Sequence, residues 1–204
     1  KAVKYLLLIY LIYALVFGMF IFGFHRPVQS FEPAPDRFFG EGSGPDRVAL
    51  VEGRLEAGQA RINLAETALH KLDISYYTIL PGEAANLFFG SIIEAADRGV
   101  QVRLLLDGLF HNLRGRNQHA LYALAAHPNI KLKYYEPLNL SQPWTWNNRL
   151  HDKLIIVDDQ LAMIGGRNIG DKFFIQDYDG DPVLDRDVVI INTDGSRSSA
   201  VNQI

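Results

Sequence analysis

The stretch HDKLIIVDDQLAMIGGRN occupies residues 151–168. It holds two apolar runs, residues 154–157 and 161–164, and the polar residues between them predict that the runs form a β-hairpin. His151 and Lys153 stand two positions apart at the start of the first strand, so their side chains project from the same face of the sheet. The stretch therefore predicts two core strands with a pair of polar side chains at the end of one of them.

Outside this hairpin, predicted strands alternate with predicted helices. Apolar side chains recur at helical spacing in residues 55–69 and 83–98, and residues 118–126 form a shorter helix. Apolar or alternating runs predict further strands at residues 72–80, 100–107, 130–134 and 188–191. This alternation is typical of an α/β fold, here a mixed, mostly parallel sheet flanked by helices.

The side chains around the hairpin suit phosphate chemistry. A histidine can attack phosphorus or carry a proton because its pKa lies near neutrality, and a lysine beside it can hold negative phosphate oxygens. Glycines allow close approach of the backbone, and an asparagine amide can donate to another oxygen. A lone His-x-Lys would most often be an ordinary strand start. The whole pattern H-x-K-x₄-D-x₆-G-G-x-N fixes six positions, however, which makes a chance match rare.

This pattern resembles the signature of the phospholipase D superfamily, and that of bacterial cardiolipin synthase-type members in particular. The wider resemblance is carried by GGRNIGD at residues 165–171 and by residues 95–100, 102–107 and 184–188. It covers residues 62–192 and implies a phospholipase D-like half-domain. In this superfamily a histidine attacks phosphorus to form a phosphohistidine, and no cofactor or metal is needed.

The resemblance also implies a role for each candidate residue. His151 takes the place of the nucleophile, and Asp185 stands where the family has a carboxylate that orients a histidine, with Asp187 in reserve. The implied catalytic residues are His151, Lys153, Asp158, Asn168 and Asp185. The implied phosphate-binding residues are Lys153, Gly165, Gly166 and Asn168. A position in a hairpin turn gives Asp158 a structural role at least as readily as contact with substrate.

The family builds one active site from two such motifs, but this chain contains a single His-x-Lys. We therefore expect the catalytic half-domain, residues 48–204, to need a second half. That half is either a part of the protein absent from this sequence, which the end at Ile204 favours, or a second copy of the chain. The expected partners are this second half, a membrane and a phospholipid substrate.

Residues 5–24 contain no charged side chain, and a helix of that length reaches about 30 Å, the apolar thickness of a bilayer. A buried soluble helix and a cleaved signal peptide are the alternatives. The run is longer than the apolar part of a signal peptide, and no small-residue cleavage site follows it. We therefore predict a single transmembrane anchor at residues 1–25 and a linker at residues 26–47. Lys1 and Lys4 precede the run, which places the catalytic domain on the non-cytoplasmic side.

The composition narrows the choice of function. The net charge of −3 and the pI near 6.1 are untypical of a nucleic-acid-binding surface, so no nucleic acid is expected. The chain has no cysteine, which excludes disulfides and thiolate metal sites. The sequence predicts a phospholipase D or a cardiolipin synthase-like phosphatidyltransferase acting on phospholipids. The alternatives are a superfamily nuclease that works as a dimer and a domain that keeps the fold without catalysis.

Overall fold

The computed structural model describes residues 1–23 and 44–204, so most of the predicted linker lies outside the described residues. The first helix, α1 (Ala2–Gly23), is long and apolar enough to cross a membrane, and none of its side chains is buried. At about 1.5 Å per residue it extends roughly 33 Å. This helix fits a single-pass membrane protein.

In residues 44–204, seven strands form one mixed sheet. In chain order they are β1 (Asp46–Val51), β2 (Lys71–Tyr76), β3 (Gln101–Asp107), β4 (Ile130–Tyr135), β5 (Lys153–Val157), β6 (Leu161–Gly165) and β7 (Asp187–Asn192). Their order across the sheet is β1-β7-β6-β5-β2-β3-β4. β5 and β6 form the predicted hairpin, in which Leu154 lies opposite Ile164 and Val157 opposite Leu161.

Four helices of the folded domain contribute to one apolar core. They are α2 (Arg54–Thr67), α3 (Glu83–Asp97), α4 (Gln118–Ala126) and α5 (Asp171–Phe174). Leu64, Phe88, Leu124 and Phe173 bring one side chain from each helix against the buried side chains of the strands. Alternate strand residues such as Leu72 and Leu104 point into this core, because successive side chains of a strand face opposite sides of the sheet.

The α/β fold with a mixed sheet flanked by helices is confirmed, but the prediction that most strand pairs are parallel is wrong. Among the described strands, only β2 with β3 and β3 with β4 pair parallel, and the other four neighbouring pairs are antiparallel. Parallel neighbours need a crossover connection, which α3 and α4 supply in the β2–α3–β3–α4–β4 run. β5 and β6 are joined by a tight turn instead, and β1, which was not predicted, pairs antiparallel with β7.

The polarity of the strands brings chemistry-bearing residues to one edge of the sheet. β2, β3 and β4 end at the edge where the antiparallel strand β5 begins. Because β6 runs antiparallel to β5 and β7 antiparallel to β6, β6 ends and β7 begins at that same edge. We call this the catalytic edge. The predicted site residues at the start of β5, at the end of β6 and at the start of β7 therefore lie at the same edge of the sheet.

Candidate active site

His151 and Lys153 lie together at the catalytic edge, as their spacing predicts. Lys153 is the first residue of β5 and pairs with Tyr76, while the N–H of Tyr77 donates to the carbonyl of Asp152 at 3.1 Å. The Tyr77 ring lies against both side chains, with its centroid 4.9 Å from the His151 ring and 5.5 Å from Lys153 Nζ. The imidazole is exposed, whereas Lys153 is only 4% exposed. The edge thus offers an accessible imidazole beside a nearly buried ammonium.

The ammonium of Lys153 is held in place by the backbone next to it. Its Nζ donates to the carbonyl of His151 at 2.6 Å, which fixes the distance between the two motif residues. Burial lowers the pKa of Lys153, and the charges of Asp152 and Asp185 oppose that effect only in part. A partly desolvated cation of this kind is stabilised when an anion approaches, because the local dielectric constant is low. Lys153 therefore offers a partly desolvated positive charge at the catalytic edge.

The two glycines after β6 make room for carboxylates of the protein itself. A Cβ on Gly166 would lie 2.2 Å from a carboxylate oxygen of Asp185, and a Cβ on Gly165 would lie 1.9 Å from Asp187 Oδ1. Any larger residue would displace these side chains. The structure thus gives both glycines a packing role toward Asp185 and Asp187, in a place where the sequence suggested contact between backbone and phosphate.

Asn168 follows the same loop and is half-buried. Within the described part of the chain its buried Oδ1 has no hydrogen-bond partner. Buried side-chain amides are usually paired, and the oxygen and nitrogen of such a group can be exchanged by a flip of the side chain. Asn168 therefore has hydrogen-bonding capacity that these residues do not use.

Asp158 lies apart from the other candidates. It occupies the turn after β5, at the end of the strand opposite Lys153, roughly 16 Å away at the usual rise per residue. Its carboxylate accepts the backbone N–H groups of Leu69, His70 and Lys71 at 2.7–2.9 Å. The motif aspartate thus joins the β5–β6 turn to the start of β2. The reason is geometric, since a five-residue strand separates the two ends of the motif.

Asp187, the reserve candidate, is also not accessible to a substrate. It is completely buried and forms ion pairs with Arg61 at 2.8 Å and Arg167 at 2.7 Å. Arg61 also donates to the hydroxyl of Tyr76 at 2.8 Å. We call these four residues the buried ionic cluster. The sequence contained one sign of it, because Arg61 falls on the apolar face of α2 with Ala57, Leu64 and Ala65.

A second buried carboxylate, Asp107 at the end of β3, was not singled out from the sequence. Its oxygens accept the N–H groups of Leu109, Phe110 and Leu150, and it pairs with Arg149 at 3.2 Å. It is completely buried. These bonds fix the two residues that precede His151. Asp107 is therefore a positioning residue for the catalytic edge.

A family model described as "Cardiolipin synthase, PLD-like domain" matches residues 60–193, which is more than half of the chain and includes the catalytic edge. The chain belongs to the phospholipase D superfamily. Its matched region begins in α2 and ends just after β7. The buried ionic cluster and Asp107 thus lie within the phospholipase D-like domain.

Two bacterial relatives are similar to this phospholipase D-type domain. Cardiolipin synthase C of Escherichia coli is 38% identical over 133 residues, which cover 61% of this chain and 28% of that protein. Cardiolipin synthase 1 of Bacillus cereus is 30% identical over 141 residues, which cover 66% of this chain and 26% of that protein. The chain therefore spans about a quarter of each relative's length.

Two solved structures have a similar fold. NucT from Helicobacter pylori matches with a TM-score of 0.55 at 18% identity, covering 72% of this chain and 87% of that one. Phosphatidylserine synthase from Haemophilus influenzae matches with a TM-score of 0.55 at 20% identity, covering 72% of this chain and 34% of that one. At such identities the likeness concerns the fold alone.

A cavity of about 750 Å³ lies on the sheet face opposite the helices and is lined by charged side chains that include Lys71, Asp73 and Arg103. Neither this cavity nor one of about 400 Å³ beside α2 and α3 is lined by His151. Among the described residues, no group of three or more His, Cys, Asp or Glu side chains could hold a metal ion.

Proposed function

We propose that this chain supplies one half of the active site of a phospholipid phosphodiesterase, either a phospholipase D or a cardiolipin synthase-like phosphatidyltransferase. The observation that carries the proposal is the pairing of an exposed imidazole with a buried, partly desolvated ammonium at the catalytic edge. The matched cardiolipin synthase-type domain supports phospholipid as the substrate class.

In this proposal His151 attacks the phosphorus of the substrate. A bond forms between an imidazole nitrogen and phosphorus, the bond from phosphorus to the leaving alcohol breaks, and a phosphohistidine remains. Lys153 and the amide of Asn168 hold the phosphoryl oxygens while negative charge builds up on them. Asp185, whose charge reaches Lys153 and which lies against Gly166, orients His151 in this proposal.

The leaving alcohol needs a proton, and the described residues at this edge offer no second histidine for that role. His111, four residues after the end of β3, is buried, and its Nδ1 accepts the N–H of Leu113 at 2.9 Å. A second half with its own His-x-Lys would supply the acid and would then activate water or a second alcohol. The unused hydrogen-bonding capacity of Asn168 is consistent with such an incomplete site.

We further propose that α1 anchors the catalytic half, residues 48–204, next to its lipid substrate. α1 has the length and composition of a membrane-spanning helix. Lys1 and Lys4 before the apolar run would keep the N-terminus in the cytoplasm and the catalytic half on the opposite side. In this arrangement residues 1–25 are the anchor, and residues 26–47 are the linker that joins it to the catalytic half.

Replacement of His151 by alanine tests the proposal. In the complete protein, reconstituted with phosphatidylglycerol vesicles, we expect His151→Ala to lower the formation of cardiolipin and phosphatidic acid by on the order of 10³-fold or more, because the nucleophile is lost. His119→Ala is the matched control, because His119 is an exposed histidine of α4. It should retain wild-type turnover.

Two outcomes would contradict this proposal. If His151→Ala keeps turnover near that of the wild type, His151 is not the nucleophile. If the wild-type protein cleaves single-stranded DNA but converts no phospholipid, the substrate class is wrong and the dimeric nuclease is the better description. The same pair of variants serves for both substrates.

A further inference from the structure

The connection from β4 to β5 forms a compact loop with a tryptophan-rich tip. We call residues 137–148, with sequence PLNLSQPWTWNN, the tryptophan loop. Its base is closed by Arg149, which donates to the carbonyl of Glu136 at 2.7 Å and pairs with Asp107 at 3.2 Å. The loop therefore stands next to His151 on a fixed base.

The polar groups of this loop are largely satisfied within it. Trp146 Nε1 donates to the carbonyl of Asn139 at 2.7 Å, and Thr145 Oγ1 donates to the carbonyl of Gln142 at 2.9 Å. The N–H of Trp146 donates to the carbonyl of Pro143 at 3.2 Å. A loop that pairs its own donors and acceptors loses little free energy when its tip leaves water.

The apolar side chains of the loop, by contrast, are directed outward. Leu138 and Leu140 are 50% and 65% exposed. Trp144 and Trp146 lie against α1, where Trp144 stacks on Phe17 at 6.0 Å between ring centroids and Trp146 lies 6.5 Å from Tyr10. The loop thus presents an apolar surface, and in the structure this surface packs against the apolar helix α1.

This contact with α1 is not compatible with a helix that spans a bilayer. The loop also binds Tyr13, whose hydroxyl donates to the carbonyl of Ser141 at 2.5 Å. Tyr10 and Tyr13 are near the middle of α1, so about 15 Å of helix lies on either side of them. Irregular backbone does not enter the apolar centre of a bilayer where lipid would surround it. When α1 spans the membrane, the tryptophan loop must therefore leave it.

We propose that the tryptophan loop then rests on the bilayer surface, with Leu138, Leu140 and the two tryptophans in the interfacial layer. Tryptophan and tyrosine favour this layer because their rings are apolar and their N–H or O–H groups are polar. The loop and Asp107 would hold His151 beside the phospholipid headgroups. This contact with lipid rests on the proposed anchoring role of α1 and goes beyond the proposed chemistry of His151.

Intrinsic fluorescence tests this contact directly, because the chain contains two tryptophans and both are in the loop. The full chain is reconstituted in vesicles whose lipids carry a spin-label quencher either near the headgroup or near the end of the acyl chain. We expect the shallow quencher to reduce tryptophan emission more than the deep quencher does. Leu140→Asp should weaken shallow quenching, whereas Leu87→Asp, a change at an exposed leucine of α3, should leave it unchanged.

Two results would overturn the proposal. Emission that neither quencher reduces would mean that the loop stays in water. Stronger quenching by the deep label would mean that the loop remains on α1 inside the bilayer. Because the measurement needs no turnover, its failure would leave the proposed role of His151 untouched, and an inactive His151→Ala protein should still show shallow quenching.

Discussion

Asp158 acts on the fold through three backbone N–H groups, those of Leu69, His70 and Lys71. Burial raises the pKa of its carboxyl group, but these hydrogen bonds outweigh burial and leave the pKa below its ordinary value. Both Asp158 and its neighbour Asp159 have positive φ, at 51° and 55°. Asparagine tolerates this conformation, so each can be replaced by asparagine with little change to the backbone.

We predict that Asp158→Asn lowers the free energy of unfolding at neutral pH by about 1–3 kcal/mol, because an acceptor of three N–H groups loses its charge. Since the folded-state pKa is lowered, this stabilisation is present above the ordinary aspartate pKa and is lost as the pH falls through the folded-state value. Urea unfolding at several pH values measures the difference between wild type and variant, which should shrink as the pH falls.

Asp159→Asn is the matched control for this prediction. The Asp159 side chain is 57% exposed and pairs with Lys71 at 2.8 Å, an arrangement typically worth less than about 1 kcal/mol. An equal loss of stability in both variants, or a loss in Asp158→Asn that does not depend on pH, would contradict the role given to Asp158.

For individual residues, the sequence predicted which side chains are close together along one strand. It did not predict contacts between residues that are distant along the chain. The proximity of His151 and Lys153 follows from the two-residue repeat of a strand, which is local. The position of Asp158 depends on strand length and on the start of β2, which lies far away in the chain. Arg61 was not singled out from the sequence, since its partner Asp187 is distant along the chain.

Among the elements, the segment that joins β4 to β5 decides where His151 lies. Asp107 at the end of β3 accepts the backbone N–H of Leu150 at 3.0 Å and pairs with Arg149. It also closes the turn after β3 through the N–H groups of Leu109 and Phe110. One buried carboxylate therefore connects the end of a parallel strand to the residues that lead into the catalytic strand.

We predict that Asp107→Asn reduces kcat by on the order of 10–100-fold while KM changes less, because a small displacement of the nucleophile is costly for chemistry and less so for binding. Steady-state kinetics of the complete protein measures both constants. Asp97→Asn is the control, since Asp97 is an exposed aspartate that pairs with His127. Wild-type kcat in Asp107→Asn would mean that Asp107 does not position His151.

Helices and strands could be predicted where the sequence pattern that indicates them lies within the segment itself. The β5–β6 hairpin and α3 were predicted close to their observed bounds because the apolar spacing and the turn residues lie within each segment. In the antiparallel pairing of β1 with β7, Asp46 lies opposite Asn192, and no local sequence pattern predicts this pairing. For this reason the number of parallel pairs was overestimated.

Across the whole molecule, the buried ionic cluster ties the helices to the catalytic edge. Arg61 comes from α2, Tyr76 from β2, Asp187 from β7 and Arg167 from the loop that leads to Asn168. Arg167 also donates to the carbonyl of Glu52 at 2.6 Å, just after β1. Because two buried guanidinium groups share one carboxylate, loss of that carboxylate would leave both charges without their ionic partner.

We predict that Asp187→Asn lowers the free energy of unfolding by about 3–5 kcal/mol, the usual cost of removing one partner from a buried ion pair. Urea unfolding measures it. The same substitution at Asp73 is the control, because its partners Arg103 and Lys71 are 61% and 35% exposed and each pair of this kind contributes less than about 1 kcal/mol. Similar losses at both positions would argue against a buried cluster that holds the fold together.

The proposed bond between phosphorus and the ring of His151 can be trapped chemically. The complete protein is mixed with phosphatidylglycerol labelled at phosphorus, quenched with denaturant at alkaline pH to preserve the acid-labile bond, and digested. We expect label on the peptide that contains His151, and none on that peptide in His151→Ala. Label found only on other peptides would contradict the role of His151 as nucleophile. Turnover of substrate by a protein that never carries label would contradict it as well.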